Sequence, residues 1–186
     1  MSVAEHRTAI FQALAEGLDL LQVQEQFQLS RDQLQELFRE VSDHYRGLAA
    51  GFWSLYCDGA SRGNPGQAGA GALLIDPSGE TKVQQGKYLG QTTNNVAEYQ
   101  ALLLGLDLAL DRGIKKIQVF ADSELLVRQL NGQYRVKASH LLPLWQAARQ
   151  ALAKFETYKI SHVPRDLNQT ADRLANEAID QKAPVR

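Results

Sequence analysis

Cysteine is nearly absent from this 186-residue chain, which holds Cys57 alone. A single thiol excludes an internal disulfide framework, so a reducing, cytoplasmic compartment is the expectation. Cys57 sits in an apolar run, where a thiol is packing filler rather than a reactive group. Long apolar runs are missing as well. The longest, ALLLGLDLAL, is too short to cross a bilayer and is interrupted by Asp107, so no membrane association is expected. No basic flank leads into an apolar stretch near Met1, and an export signal is not expected. Clustered Cys and His at metal-ligand spacing are also lacking, which argues against zinc.

What is present is the composition of a soluble globular protein, 44% hydrophobic and 22% charged. The length suits one domain of about 100–150 residues and a small appendage. The formal net charge of −1 conceals an asymmetry. Residues 1–50 carry four Lys/Arg against eight Asp/Glu, whereas the remainder carries 16 against 13. The larger part therefore offers a basic surface to a polyanion, and the smaller part does not.

The boundaries read as a helical domain over 1–47, a small-residue linker over 48–51 and an α/β domain over 52–186. In the first, Ile10, Phe11 and Leu14 form one apolar stripe ending near Gly17, and Leu21, Val23 and Phe27 form a second. Ser30 with Gln33 has the spacing of a capping box before Leu34, Leu37, Phe38 and Val41. In the second, FWSLYCD, AGAGALLID and KVQQGKYLG read as strands, the last two joined by a turn at Asp76-Pro-Ser-Gly79. A long helix is expected from Thr93 to Gly113, then the buried strand KKIQVFAD, a short helix in SELLVRQLNG, and a longer one capped by Ser139. YKISHVP is a last strand, and NQTADRLANEAI a final helix capped by Asn168.

Four acids stand out on this framework: Asp58 in YCDGASRGNPG, Glu98 in TTNNVAEY, Asp122 in VFADSELL and Asp172 in NQTADRLANEA. Asp58 and Asp122 close apolar strand-like runs, while Glu98 and Asp172 open helix-like ones. Read singly, each is as well a helix cap or a solvated surface group. A carboxylate at the edge of an apolar core is costly unless a cation or hydrogen bonds compensate it. Four together repel one another, and a pair of divalent cations is the usual relief. Such pairs, about 3.5–4 Å apart, hydrolyse phosphodiesters.

The words around these acids carry a resemblance. From about Leu55 to Asp180, DGASRGNPG, TTNNVAEYQAL, FADSELLVRQL and HVPRDLNQTADRLAN follow one another as in ribonuclease H of type 1. That family cuts the RNA strand of RNA/DNA hybrids. The resemblance implies a ribonuclease H-like α/β fold, a mixed five-stranded sheet flanked by helices with its first and fourth strands parallel neighbours. It implies two Mg2+ ions, for which Mn2+ substitutes, held by all four acids. Asp58 would bridge the ions, Glu98 and Asp122 flank one, and Asp172 serve the other. A donor set of hard oxygens suits these metals. His162, ten residues before Asp172, matches a family histidine that assists proton transfer or product release. Its loop is shorter and less glycine-rich than in many members, and the alternative is an exposed strand-end histidine.

Substrate reading is expected of Gly63, Asn64, Thr93, Asn94 and Asn95. Asn side chains donate and accept, and can bond base edges and the ribose 2′-hydroxyl that marks RNA. The Gly-Asn-Pro-Gly turn lets backbone approach the RNA, and Thr93 at a helix N-terminus suits a DNA phosphate. The Lys/Trp-rich protrusion of many relatives is missing. LNGQYRVKAS, with Arg135 and Lys137, stands in its place, so weaker hybrid affinity is expected. The competing readings are the same chemistry on double-stranded RNA, or on DNA as in resolvases and transposases of related fold, and a binding module that does not cleave. An intact acid quartet argues against the last.

Residues 1–47 resemble a helix-turn-helix, with the turn near Gln28-Leu29-Ser30. A recognition helix normally brings Lys or Arg to phosphates. This one offers Glu36, Glu40 and Asp43 beside Arg31 and Arg39. Protein contact or self-association is therefore expected of it rather than nucleic-acid binding.

Overall fold

The computed structural model describes residues 9–14, 16–39 and 51–185. Most of the linker expected at 48–51, and the helical positions expected beyond Arg39, lie outside these. The chain divides into two compact units, Met1–Arg46 and Gly47–Arg186. Among the described residues, no helix is long and apolar enough to cross a membrane.

In the first unit, helical segments at 9–14 and 31–39 accompany α1 (Leu20–Phe27). Ile10, Ala13, Val23, Leu29, Leu34 and Leu37 are buried in one cluster. Phe11 and Phe38 meet edge to face at 6.0 Å between centroids. The capping box at Ser30 is formed, with Gln33 N–H donating to Ser30 Oγ at 3.2 Å and Ser30 N–H to Gln33 Oε1 at 2.8 Å. Asp19 and Gln22 make a second box that opens α1. The stripe expected through Leu21 is corrected. Leu21 is 75% exposed, because Val23 and not Leu21 lies on the buried side of α1.

The second unit runs β1 (Trp53–Gly63), β2 (Gly66–Ile75), β3 (Thr81–Thr92), α2 (Asn94–Asp111), β4 (Lys116–Ala121), α3 (Glu124–Leu130), α4 (Leu142–Leu152), β5 (Thr157–His162) and α5 (Gln169–Gln181). Its five strands lie in the order β3-β2-β1-β4-β5. The first three form an antiparallel meander, and β4 is parallel to both β1 and β5. A strand with parallel neighbours on both sides is covered on both faces, and β4 is accordingly buried from Ile117 to Ala121. The β2–β3 turn is held by Asp76, whose Oδ1 accepts from the N–H groups of Ser78 and Glu80.

One face of the sheet meets α2 in the main core, where Leu55, Ala72, Leu74, Leu102, Leu106, Ile117 and Val119 are buried together. Seven-residue α3 is too short to persist alone. Tyr99 Oη donates to Gln129 Oε1 at 2.8 Å, and Trp145 Nε1 and Arg149 Nη1 donate to its last carbonyls. The opposite face of β2 carries α5. Cβ atoms at Gly69 and Gly71 would overlap the carbonyl oxygens of Ala175 and Ala171, so glycine sets how closely that helix lies on the strand.

Two expected caps are corrected. Ser139 begins a 3-10 turn (Ser139–Leu141) with no side-chain cap, and α4 starts after it with Pro143 in its first turn, where a missing N–H costs nothing. Asn168 stands at the N-cap position of α5 but makes no side-chain capping bond; its Nδ2 donates to Cys57 and Asp122, which turns the side chain away from the helix N–H groups. We expect Gly71→Ala to destabilise the fold by about 2 kcal/mol, in the range of overpacked cores. Chemical denaturation measures this, and a loss within about 0.5 kcal/mol, typical of surface substitutions, would contradict so close a helix.

Candidate active site

The site forms where the strands stop pairing. β4 accompanies β1 only as far as the Tyr56–Phe120 pair, whereas β1 continues beside β2 to Gly63. Asp58 was expected to close its strand, and instead lies in mid-strand because this hairpin prolongs β1. Beyond Tyr56 one edge of β1 is left without a strand neighbour. Two side chains take the ladder's place there. Asn168 Nδ2 donates to the Cys57 carbonyl at 2.9 Å, and Gly59 N–H donates to Glu98 Oε2 at 3.3 Å. Positions 57 and 59 present their polar groups to the same edge, as alternate strand residues do.

Asp58, Glu98 and Asp122 converge on this edge from three elements. One carboxylate oxygen from each lies within 4.8 Å of the other two. Asp58 projects from β1, Glu98 from the second turn of α2, and Asp122 follows the last residue of β4. A Cβ at Gly59 would overlap the backbone of Ala97 and Glu98, so glycine after Asp58 is what admits α2. Asp172, in the first turn of α5, lines the same cleft of about 560 Å³, together with His162, Arg165 and Asn176. It stands outside the tight trio and pairs with Arg165, Nη2 to Oδ1 at 2.9 Å.

Burial and mutual repulsion dominate the electrostatics. Burial first, then the charges of Glu98, Asp122 and Asp172, push Asp58 far above the carboxylate range. Glu98 is pushed up to about 8 by burial and by Asp122, against the lowering effect of the Gly59 N–H, the Asn94 amide and the Arg165 charge. Cys57 behind them is raised by burial and then by the same acids, which fits an inert thiol.

The other expected residues divide between two places. His162 is exposed on the cleft, its position paired with Ala121, the residue before Asp122. Asn64 Oδ1 accepts from Asn94 N–H at 3.2 Å, tying the β1–β2 turn to the start of α2. Asn94 Nδ2 reaches Glu98 Oε1 at 3.4 Å. Thr93 is the N-cap of α2, accepting from Val96 N–H, and Gly63 adopts a φ of +103° at the turn, where a side chain would be strained. Asn95 is not on the acid cleft. It lines a neighbouring groove with Leu125, Tyr134, Arg135 and Lys137.

Two residues were missed from the sequence. Asn168, 1% exposed, bonds Asp122 Oδ1 at 3.2 Å as well as Cys57, so it orients a carboxylate rather than capping a helix. Its signal was its place four residues before Asp172. Arg165, seven residues before Asp172, carried no signal beyond being a cation in the HVPRDLN loop.

Residues 56–178 match the family model described as reverse transcriptase-like. Ribonuclease HI of Halobacterium salinarum is 43% identical over 125 residues, which are 67% of this chain and 63% of that protein's length. Ribonuclease H of Coxiella burnetii is 32% identical over 144 residues, 68% of this chain and 89% of that one. Among solved structures, the Halobacterium salinarum enzyme superposes with a TM-score of 0.69 at 42% identity, covering 70% of this chain and 99% of its own. LC11-RNase H1, solved in complex with an RNA/DNA hybrid, gives 0.66 at 40% identity, covering 70% and 98%. The chain belongs to the ribonuclease H family.

The raised carboxylates set the pH dependence of the metal-free protein. Unfolded, both acids ionise near pH 4. Folded, Glu98 keeps its proton up to about 8, and Asp58 also keeps its own far beyond the ordinary range. The native state then binds more protons than the unfolded state, so stability falls as pH rises through this window. With a chelator present, the melting temperature is expected to decline from pH 5 to pH 8, and less steeply in Asp58→Asn. A flat profile in the wild type would contradict the clustering.

Proposed function

We propose that the second unit is a metal-dependent endoribonuclease that hydrolyses the RNA strand of RNA/DNA hybrids. The observation that carries this reading is the convergence of three carboxylates at one open strand edge, with Asp172 on the same cleft. The donor set fits hard divalent cations, since every ligand atom is an oxygen and the trio, two of its members buried, is short of positive charge. Asp58, Glu98, Asp122 and Asp172 would hold two Mg2+ ions, or Mn2+ in their stead. Asp58 would be shared, with Glu98 and Asp122 serving one ion and Asp172 the other. Such a pair, when bound, supplies an activated water and stabilises the leaving oxygen of a phosphodiester.

The chain's own residues prepare for this. Gly59 N–H and the Asn94 amide favour the ionised form of Glu98, and Asn168 fixes Asp122. His162, which lines the cleft, would move a proton to the leaving oxygen or ease product release. Gly63, Asn64 and Asn94 would meet the RNA strand and its 2′-hydroxyls, and Thr93, the N-cap of α2, would hold a DNA phosphate. Asn95, with Arg135 and Lys137, would steady the DNA strand. The relative solved with a hybrid supports that substrate class.

Residues 1–47 we propose to make protein contacts, by self-association or by docking. Adjacent Leu20 and Leu21 are 50% and 75% exposed, and Asp32 and Glu36 lie on the would-be recognition helix. A chain beginning at Gly51 should keep its cleavage rate at saturating substrate but change oligomeric state or stability. Unchanged mass and stability with tenfold weaker hybrid binding, about 1.4 kcal/mol, would assign these helices to nucleic acid instead.

Cleavage is tested on matched hybrid, double-stranded RNA and double-stranded DNA. Wild type should cut the hybrid in a Mg2+-dependent manner, and Asp58→Asn or Asp122→Asn should abolish cutting without unfolding the chain. Retention of more than about a tenth of the turnover, a loss below ~1.4 kcal/mol, would sink the metal assignment. In the same assay His162→Ala should lower turnover by about 10²-fold and leave hybrid binding nearly unchanged. Unaltered turnover would make His162 a surface residue.

A further inference from the structure

Arg165 is the one Lys or Arg among the residues lining the acid cleft. It opens the 3-10 turn Arg165–Leu167 that joins β5 to α5, and its guanidinium reaches across to Asp172. The pair is lopsided in exposure: the Arg165 side chain is 79% exposed and that of Asp172 28%. The arginine therefore lies on the solvent side and can leave without opening the fold. Asp172 is held by the cleft wall, where the Asn176 amide bonds its backbone carbonyl at 2.9 Å.

Among the described residues, the other three acids have no such partner. Glu98 and Asp122 are held by amides or N–H groups, and Asp58 is crowded by both. The fourth acid alone carries a full counter-charge, and that charge also attracts Asp58 and Asp122. An exposed ion pair contributes about 0–1 kcal/mol, little enough for a divalent cation to displace it.

We propose that Arg165 is the resident counter-cation of Asp172, a positioning residue that holds the fourth carboxylate in the metal-free cleft and releases it when a divalent cation enters. This rests on the metal-dependent reading above. It makes the Asp172 side of the cleft the weaker for cations, because loading there first breaks an ion pair.

The test is calorimetric titration of Mn2+ into the full-length chain without nucleic acid. Arg165→Ala should tighten Mn2+ binding about fivefold, ~1 kcal/mol at 1.4 kcal/mol per tenfold. Arg165→Gln, which keeps most of the stem, should do the same and guards against a packing artefact. In an Asp172→Asn background, Arg165→Ala should change affinity less than twofold, since no carboxylate is left to release. Unchanged or weaker binding in both single Arg165 variants overturns the proposal. So does an equal gain in the Asp172→Asn background, which would mean that Arg165 acts only through the general field of the cleft. If Asp58→Asn abolishes Mn2+ uptake while the Arg165 variants match wild type, the metal reading stands and the Arg165 proposal falls. A wild type that takes up no Mn2+ overturns both.

Discussion

Asp58 and Glu98, both buried, and the partly buried Asp122 cannot all be charged at such close range without donors or cations around them. Most of the local architecture answers this constraint. Gly59 N–H and the Asn94 amide face Glu98, Asn168 faces Asp122, and Arg165 neutralises the fourth acid beyond the trio. Cys57 lies behind them as a thiol pushed up by burial first and then by the same acids. The fold accepts an unfavourable cluster in one place because the main core beneath it is apolar and closely packed.

That cluster exists only because helices reach the sheet from both faces at unusually short range. α2 approaches β1 over Gly59, and α5 approaches β2 over Gly69 and Gly71. By register Asp58 pairs with Gly71, so the strand pair that bears the central acid also sets the height of the helix carrying Asp172. Stability and site geometry are therefore coupled through backbone contact. A side chain added at these glycines would shift an acid as well as loosen a helix.

Much of this was legible in the residues. The acids could be found because an Asp or Glu closing or opening an apolar run is expensive and needs a reason. The element order and the Ser30 capping box follow from apolar periodicity and turn chemistry, which are local, whereas the parallel β1–β4 pair was implied by the family resemblance. What stayed hidden depended on contacts distant in sequence. Asn168 before a helix has the look of a cap, and only the fold brings it to Cys57, 111 residues away. Arg165 in a polar loop looks like solvated surface until Asp172 is seen beside it. Leu21 fits a helical stripe as well as Val23 does, and which of them is buried depends on how three short helices pack. Asn95, adjacent to Asn94, faces a different groove because consecutive helical residues point about 100° apart.

The open edge of β1 has a meaning apart from chemistry. A strand with unpaired amides and carbonyls is a template on which another molecule's strand can grow, and sheets exposed in this way tend toward aggregates. Here the Cys57 carbonyl and the Gly59 amide are already engaged by side chains, and carboxylates crowd the approach. An incoming strand would have to displace both bonds and bring its own backbone carbonyls against negative charge. The residues proposed to serve phosphodiester hydrolysis at this edge also make it sterile toward other sheets, at the point where the sheet is least complete.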